Sequence, residues 1–242
     1  MRLKFIGTSH GVPEPVRRCS CTMLEIGGKY YFIDMGTQAI EDIHRLGIDI
    51  NAVKGIFLTH PHGDHTDGVI SFIDLINWYY TKADPTIFFP RESMIDALKS
   101  WIIAIGTSNM PLRDSLDLRI VKEGPIYDDG TLKVSAIPTQ HCPQSYAYRL
   151  EAEGKNILFT GDLAHPTKDF PQIAFEKHFD LIVCEAAHFD TSATEPVLNK
   201  AKTDRVILNH IPAYRDADIF NVLKNDHPFT ITKANDGMKV TL

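Results

Sequence analysis

No run of apolar residues in this chain approaches the ~20 that a membrane-spanning helix needs, so no membrane partner is expected. The opening residues, MRLKFIGTSHG, lack the apolar core of a secretory leader. Cysteine is scarce, with four in 242 residues and no CxxC spacing. That argues against a zinc ribbon or a redox motif and predicts a reduced, cytoplasmic setting. Basic charge is not in excess either: 25 Lys and Arg face 31 Asp and Glu, a formal net charge of −6. A general polyanion binder is expected to carry the opposite balance. Low-complexity tracts, long linkers and heptads are missing too. With 43% hydrophobic and 23% charged residues, the composition is that of an ordinary globular chain, read as a single domain over 1–242.

Histidine, by contrast, is concentrated. The stretch LTHPHGDHTDGV, residues 58 to 69, sets His60, His62, Asp64 and His65 within six positions after the apolar run Ile56-Phe57-Leu58. On a tightly turned segment His60 and His62, two apart, face one way. Asp64 and His65 fall beyond a bend at which Gly63 permits unusual dihedrals. One segment thereby offers two donors to each of two neighbouring cation sites, and each site needs more donors.

The rest of the chain alternates apolar, β-rich runs with helical patterns, an α/β arrangement. Strands are predicted at 3–6, 22–26, 30–33, 56–59, 87–89, 132–137, 146–150, 157–160, 181–184, 206–209 and 229–232. Helices are predicted at 38–46, 69–80, 93–105, 195–202 and 218–224, and Gly27-Gly28 and Asp128-Asp129-Gly130 read as hairpin turns. Three strands apolar enough to be buried on both faces stop at a potential ligand: His60, Asp162 and His210. If those ends share one edge of a sheet sandwich, the donors converge. His141 then completes a site with His60 and His62, and His210 completes another with Asp64 and His65. Asp162, with two oxygens, bridges them. Such a centre holds two divalent metal ions with open positions, the catalytic kind of site. Zn2+ suits the donors, and Mn2+, Fe2+ or Ni2+ also fit. His10, His44, His165, His178 and His227 stand outside this pattern and read as ordinary surface or core residues.

HxHxDH after an apolar strand, followed by a later His, a GD and a His, resembles the metallo-β-lactamase superfamily. FIGTSHGVPEPVRR (5–18), FIDMGTQ (32–38), HCPQSYAYRL (141–150) and LFTGD (158–162) are similar to segments of its ribonuclease Z-like and cyclic phosphodiesterase branch. The resemblance spans nearly the whole chain and implies a four-layer αββα sandwich with a dinuclear site at one edge of the sheets. It implies that Asp34 hydrogen-bonds a ligand imidazole or the ligand loop. It also implies that Ser145, Tyr148 and Arg149 face the substrate phosphate and that the chain pairs as a homodimer, for which Trp78-Tyr79-Tyr80 would suit the interface. Arg17-Arg18 would add positive charge near the mouth.

The chemistry expected is that of a metal-dependent hydrolase, a phosphodiesterase using a hydroxide that bridges two metal ions to attack a small or cyclic phosphodiester. Asp64 both ligates and orients the nucleophile, and His188 serves as general acid. Ribonuclease Z-type tRNA 3′ processing is the alternative. Glu185-Ala186-Ala187 runs straight into His188 with no later His-Ser-Thr, and 84–124 shows no Gly/Pro-rich basic arm for RNA. A lactonase or thioesterase of the same fold is the other alternative. The loops at 14–21, 106–118 and 188–194 are expected to set the substrate.

Overall fold

The computed structural model describes residues 1–107 and 110–242, so part of the 106–118 loop, at 108–109, lies outside the described residues. The first half of the chain builds one sheet from β1 (Arg2–Gly7), β2 (Cys21–Ile26), β3 (Lys29–Ile33), β4 (Val53–Phe57), β5 (Thr86–Phe89) and β6 (Leu118–Ile120). The second half builds another from β7 (Gly124–Asp128), β8 (Lys133–Thr139), β9 (Ser145–Ala152), β10 (Lys155–Phe159), β11 (Leu181–Glu185), β12 (Arg205–Asn209) and β13 (Thr230–Lys233). A last strand, β14 (Lys239–Thr241), returns to pair with β1. Each sheet begins as an antiparallel meander and continues as parallel strands, β3 to β6 in one and β10 to β13 in the other. Parallel neighbours need crossovers, and helices supply most of them: α1 (Ile40–Arg45), α2 (Gly63–Trp78) and α3 (Glu92–Ile105), then α4 (Ile173–Glu176), α5 (Thr191–Leu198) and α6 (Asp216–Val222).

Side-chain alternation sorts the strand residues into three apolar layers. Phe57, Ile157, Phe159, Val183 and Ile207 point between the sheets. Ile56 meets α2 through Phe72 and Ile76 on the outside of the first sheet. Leu158, Ile182, Cys184, Val206 and Leu208 meet Val197 and Ile219 on the outside of the second. The result is the αββα sandwich, and it explains why these strands read as continuous apolar runs: both faces are covered.

The structure departs from the sequence reading at short or polar elements. β6, β7 and β14 were not expected, being three to five residues long with Pro125 in one of them. α2 starts at Gly63, six residues before the predicted start, because the polar GDHTD turn carries no apolar periodicity. Gly63 therefore takes ordinary helical backbone angles instead of a bend of unusual dihedrals. Among the described residues no helix is long and apolar enough to cross a membrane.

Far from the metal-donor residues, the two sheets are tied by Asp129, in the turn between β7 and β8. Its carboxylate accepts from Tyr31 Oη at 2.7 Å, Lys29 Nζ at 2.9 Å and the backbone N–H groups of Thr131 and Leu132 at 2.9 Å. Partial burial alone would raise this carboxyl, but these donors outweigh it and hold it below the usual carboxylate range. A depressed folded-state pKa means that the contribution is present above about pH 4 and fades as the carboxylate protonates below it. Asp129→Ala is expected to cost about 1–3 kcal/mol at pH 7 in urea denaturation. The gap to wild type should narrow as the pH falls below about 4.

Candidate metal centre

Of the donors named from sequence, all but Asp64 and His65 follow strand ends, as does Asp34. Asp34 follows β3, His60 and His62 follow β4, His141 follows β8, Asp162 follows β10 and His210 follows β12. Three of these exits turn sharply through left-handed backbone, at Asp34 (φ 59°), Gly161 (φ 59°) and His210 (φ 58°). For Gly161 that conformation is free of a Cβ clash. For Asp34 and His210 it is one that non-glycine residues adopt only when their surroundings hold them there. At Gly36 a Cβ would lie 1.7 Å from the Asp64 carbonyl oxygen, so only glycine lets the loop after Asp34 lie on the start of α2. Met35 N donates to His65 O at 2.9 Å and Gly68 N to Met35 O at 2.8 Å, which locks that contact.

Two groups of donors result. His60 Nε2 and His62 Nδ1 are 3.0 Å apart, and His141 Nε2 is 3.2 Å from the same His62 nitrogen. On the other side, His65 Nε2 is 3.3 Å from Asp64 Oδ2, and His210 Nε2 is 3.7 Å from it. One oxygen, Asp162 Oδ2, stands between the groups: 3.5 Å from His60 Nε2, 3.4 Å from His65 Nε2, 3.3 Å from His210 Nε2 and 3.8 Å from His141 Nε2. A tetrahedral cation with bonds of about 2.0–2.1 Å keeps its donors roughly 3.3–3.4 Å apart, close to these spacings. Asp64 and His65, in the first turn of α2, point to the second group, and a carboxylate there also suits the positive end of the helix.

Neighbours fix the ring orientations. Asp34 accepts from Thr59 N at 2.7 Å and lies 2.7 Å from His65 Nδ1, which leaves His65 Nε2 aimed into the cluster. That atom is buried and has no hydrogen-bond partner among the described residues, the state expected of an imidazole nitrogen reserved for a cation. Ser20 Oγ sits 2.8 Å from His210 Nδ1, and Thr59 Oγ1 3.0 Å from His60 Nδ1. Asp169 accepts from Gln140 N and Ala164 N at 2.8 Å, tying the His141 loop to the Asp162 loop. Glu185 accepts from Leu163 N at 2.7 Å and holds His188 Nδ1 at 2.9 Å.

The electrostatics ask for positive charge. Burial pulls the His65 imidazole down, yet Asp162 and Asp34 outweigh it and hold it well above its ordinary pKa. Burial would raise Asp162, but His210 and His65 drive it well below the carboxylate range. Asp64 falls likewise, its burial outweighed by His65. His60, by contrast, is pushed down to about 2 by burial and by the neighbouring His65. Burial lowers His141, whereas at His188 the Glu185 carboxylate overcomes burial and raises the imidazole. Imidazole nitrogens beside buried carboxylates suit divalent cations chemically, so the residues fit the group that the sequence implied.

Several expectations need correction. Tyr148 does not face substrate: its side chain is buried between the sheets and its hydroxyl donates to Leu58 O at 2.7 Å. Ser145 is also buried, its hydroxyl closing the β8–β9 turn with Thr139 and Cys142. Arg149 pairs with Glu151 and Asn156 on its own sheet. Arg17 is spent internally, on Ala234 O and Asn235, whereas Arg18 bonds Asp42 and Ile6 O and also lines the cleft beyond Asp64. His188 does reach the cluster, with Nε2 3.8 Å from Asp162 Oδ2. His10, read as ordinary, lines a cavity of about 370 Å³ over the donors together with Tyr214 and Arg215. Ser20, Asp169 and Glu185 were not singled out for positioning; no local signal marks them, because their partners lie far away in sequence.

Comparisons with known proteins agree with this architecture. The family model described as Anti-Pycsar protein Apyc1 matches residues 1–197. Ribonuclease Z of Shouchella clausii (strain KSM-K16) is 30% identical over 159 residues, covering 64% of this chain and 49% of that protein. Ribonuclease Z of Geobacillus kaustophilus (strain HTA426) is 29% identical, covering 62% and 48%. The chain thus spans about half the length of the curated relatives it matches. Among solved structures, the short form of human tRNase Z (ELAC1) superposes with a TM-score of 0.74 at 18% identity, covering 100% of this chain and 99% of that one. The metallo-β-lactamase fold protein YhfI of Bacillus subtilis gives 0.74 at 17% identity, covering 99% and 98%.

Asp34→Asn keeps the shape but weakens the hold on His65 Nδ1. It is expected to lower divalent-metal affinity about 10–100-fold, read by competition with a chromophoric chelator, while the folded fraction stays unchanged by circular dichroism.

Proposed function

This chain belongs to the family of the Anti-Pycsar protein Apyc1, in the ribonuclease Z-like branch of the metallo-β-lactamase superfamily, and on that premise we propose that it is a metal-dependent phosphodiesterase. Its substrate is a small or cyclic, nucleotide-like phosphodiester. The observation that carries this reading is the meeting of two donor groups around one Asp162 oxygen at the floor of a cavity of about 370 Å³. That volume suits a small molecule, the usual range being about 300–1,000 Å³.

We assign His60, His62 and His141 to one divalent cation and Asp64, His65 and His210 to a second, with Asp162 shared. Zinc matches the nitrogen-rich set, and manganese, iron or nickel accept it too. When bound, such ions acidify water and take up charge on the phosphoryl oxygens. The chain's own groups do the rest. Asp64, at the cavity wall, orients the attacking water. His188 is held through Nδ1 by Glu185, turns Nε2 toward the cavity, and gives a proton to the departing alkoxide. Tyr148, Ser145 and Arg149 have no part in this.

Ribonuclease Z-type cleavage of RNA is the second reading, favoured by the names of the sequence relatives. Against it, 84–124 shows no Gly/Pro-rich basic arm for RNA. Carbonyl esters, as in a lactonase or thioesterase, are the third. Four free thiols suit a reducing cytoplasm. Exposed Trp78 and Tyr79 at the end of α2, with an apolar groove between α2 and α3, support pairing with a second copy.

With zinc or manganese supplied, the protein is expected to hydrolyse nucleoside cyclic phosphates faster than tRNA precursors, lactones or thioesters. Activity should vanish on chelation and return with metal. A faster lactone or tRNA reaction rejects the assignment. His188→Ala should lower turnover by about 10²–10⁴-fold with metal content unchanged by elemental analysis. Loss of metal in that variant would make His188 a ligand instead of the acid.

A further inference from the structure

The two donor groups are not held alike. In the group of Asp64, His65 and His210, a side chain stands behind each ring: Asp34 at His65 Nδ1 and Ser20 at His210 Nδ1. In the other group Thr59 does this for His60. Among the described residues, His62 Nε2 and His141 Nδ1 have no hydrogen-bond partner, their other ring nitrogens facing the cluster. Both rings also stand nearer solvent: His62 is exposed and His141 half-buried, whereas His65 and His210 are buried. A ligand ring without a partner behind it is only as well placed as the backbone that carries it.

For His141 that backbone is the turn 140–144 between β8 and β9, in which Gln144 takes left-handed angles (φ 60°). Ser145 Oγ closes the turn from inside, 2.8 Å from Cys142 O and 3.1 Å from Thr139 O. Two residues reach it from outside. Arg91 donates to Pro143 O at 3.3 Å, and Asp169 takes Gln140 N on both carboxyl oxygens, at 2.8 and 2.9 Å. Asp169 reaches a second loop as well, since its Oδ2 accepts from Ala164 N, two residues past Asp162, at 2.8 Å. It is buried, and its neighbour Phe170 packs with Leu163 and Ala174 in the outer core of the second sheet, which seats the clamp firmly.

We infer that Asp169 is a positioning residue for one cation position and not for the other: by holding Gln140 N it sets His141 against His60 and His62. The inference rests on the two-cation assignment above and goes beyond it in making the two positions unequal. The position of His60, His62 and His141 is the weaker one, because two of its three rings depend on backbone alone, and Asp169 governs how weak it is. Asp162 keeps an anchor of its own, since Glu185 accepts from Leu163 N at 2.7 Å. Releasing the clamp therefore frees His141 more than it frees the shared carboxylate. The position of Asp64, His65 and His210 keeps Asp34 and Ser20 and is left intact. Asp169→Asn keeps the shape of the side chain but puts an NH2 group where an acceptor is needed, so one of the two backbone N–H groups loses its partner.

The test is zinc titration of metal-free protein in competition with a chromophoric chelator, with circular dichroism as the control for folding. Wild type should take up two ions. Asp169→Asn should bind the tighter ion as wild type does and the weaker ion about 10–100-fold less tightly, the usual cost of losing a group that orients a ligand. Crystals of the variant grown at limiting zinc should keep the anomalous peak among Asp64, His65 and His210 and lose the one among His60, His62 and His141. Asp169→Glu is the second variant, used also if Asp169→Asn does not fold. It keeps both acceptor oxygens on a longer arm and should weaken the same single ion by a smaller factor. Equal weakening of both ions marks a merely structural role and overturns the inference. So do two ions bound as tightly as in wild type, or loss of the peak at the other position. A wild type that takes up a single ion overturns the two-cation reading itself, and the selective role of Asp169 with it.

Discussion

One buried oxygen organises the site. Asp162 Oδ2 lies within 3.3–3.8 Å of nitrogens from His60, His65, His141 and His210, side chains up to 150 positions apart in sequence. A carboxylate at this depth is costly unless positive charge answers it. The surrounding imidazoles answer partly, since Asp162 and Asp34 hold the His65 pKa well above its ordinary value despite full burial. A pair of divalent cations would meet the same demand more completely. The strand ends, the left-handed exits and the glycine at 36 can be understood as what it takes to bring six further donors around that oxygen.

The two halves of the sandwich solve the positioning problem in parallel ways. At the end of β3, Asp34 accepts a backbone N–H from the neighbouring segment and fixes His65 through Nδ1. At the end of β11, Glu185 accepts a backbone N–H beside Asp162 and fixes His188 through Nδ1. Each half thus carries a buried carboxylate that turns an imidazole Nε2 toward the shared centre. The difference is exposure: His65 is enclosed, whereas His188 is at the cavity wall. That contrast suits a ligand role for the first and a proton-handling role for the second.

Much of this was legible in the sequence because it is local. The HxHxDH segment reports itself through spacing, and β4, β10 and β12 report themselves as apolar runs that end in a donor. The αββα layering was implied by the resemblance, and strands covered on both faces agree with it. What sequence patterning missed depends on long-range packing. Ser20 reaches His210 across 190 positions, and nothing near either residue announces it. Tyr148 was misread because the resemblance placed it at the substrate phosphate, whereas the fold turns it between the two sheets. His10 was read as ordinary because only the fold brings it to the cavity wall beside Tyr214. The early start of α2 escaped notice for a related reason: a first turn made of Gly63, Asp64, His65 and Thr66 has no apolar stripe to betray it.

The central claim is two cations sharing Asp162, and anomalous scattering from crystals grown with zinc tests it most directly. The account predicts two peaks per chain flanking Asp162 Oδ2, one among His60, His62 and His141, the other among Asp64, His65 and His210. A single peak, or peaks that leave Asp162 uncoordinated, would contradict it.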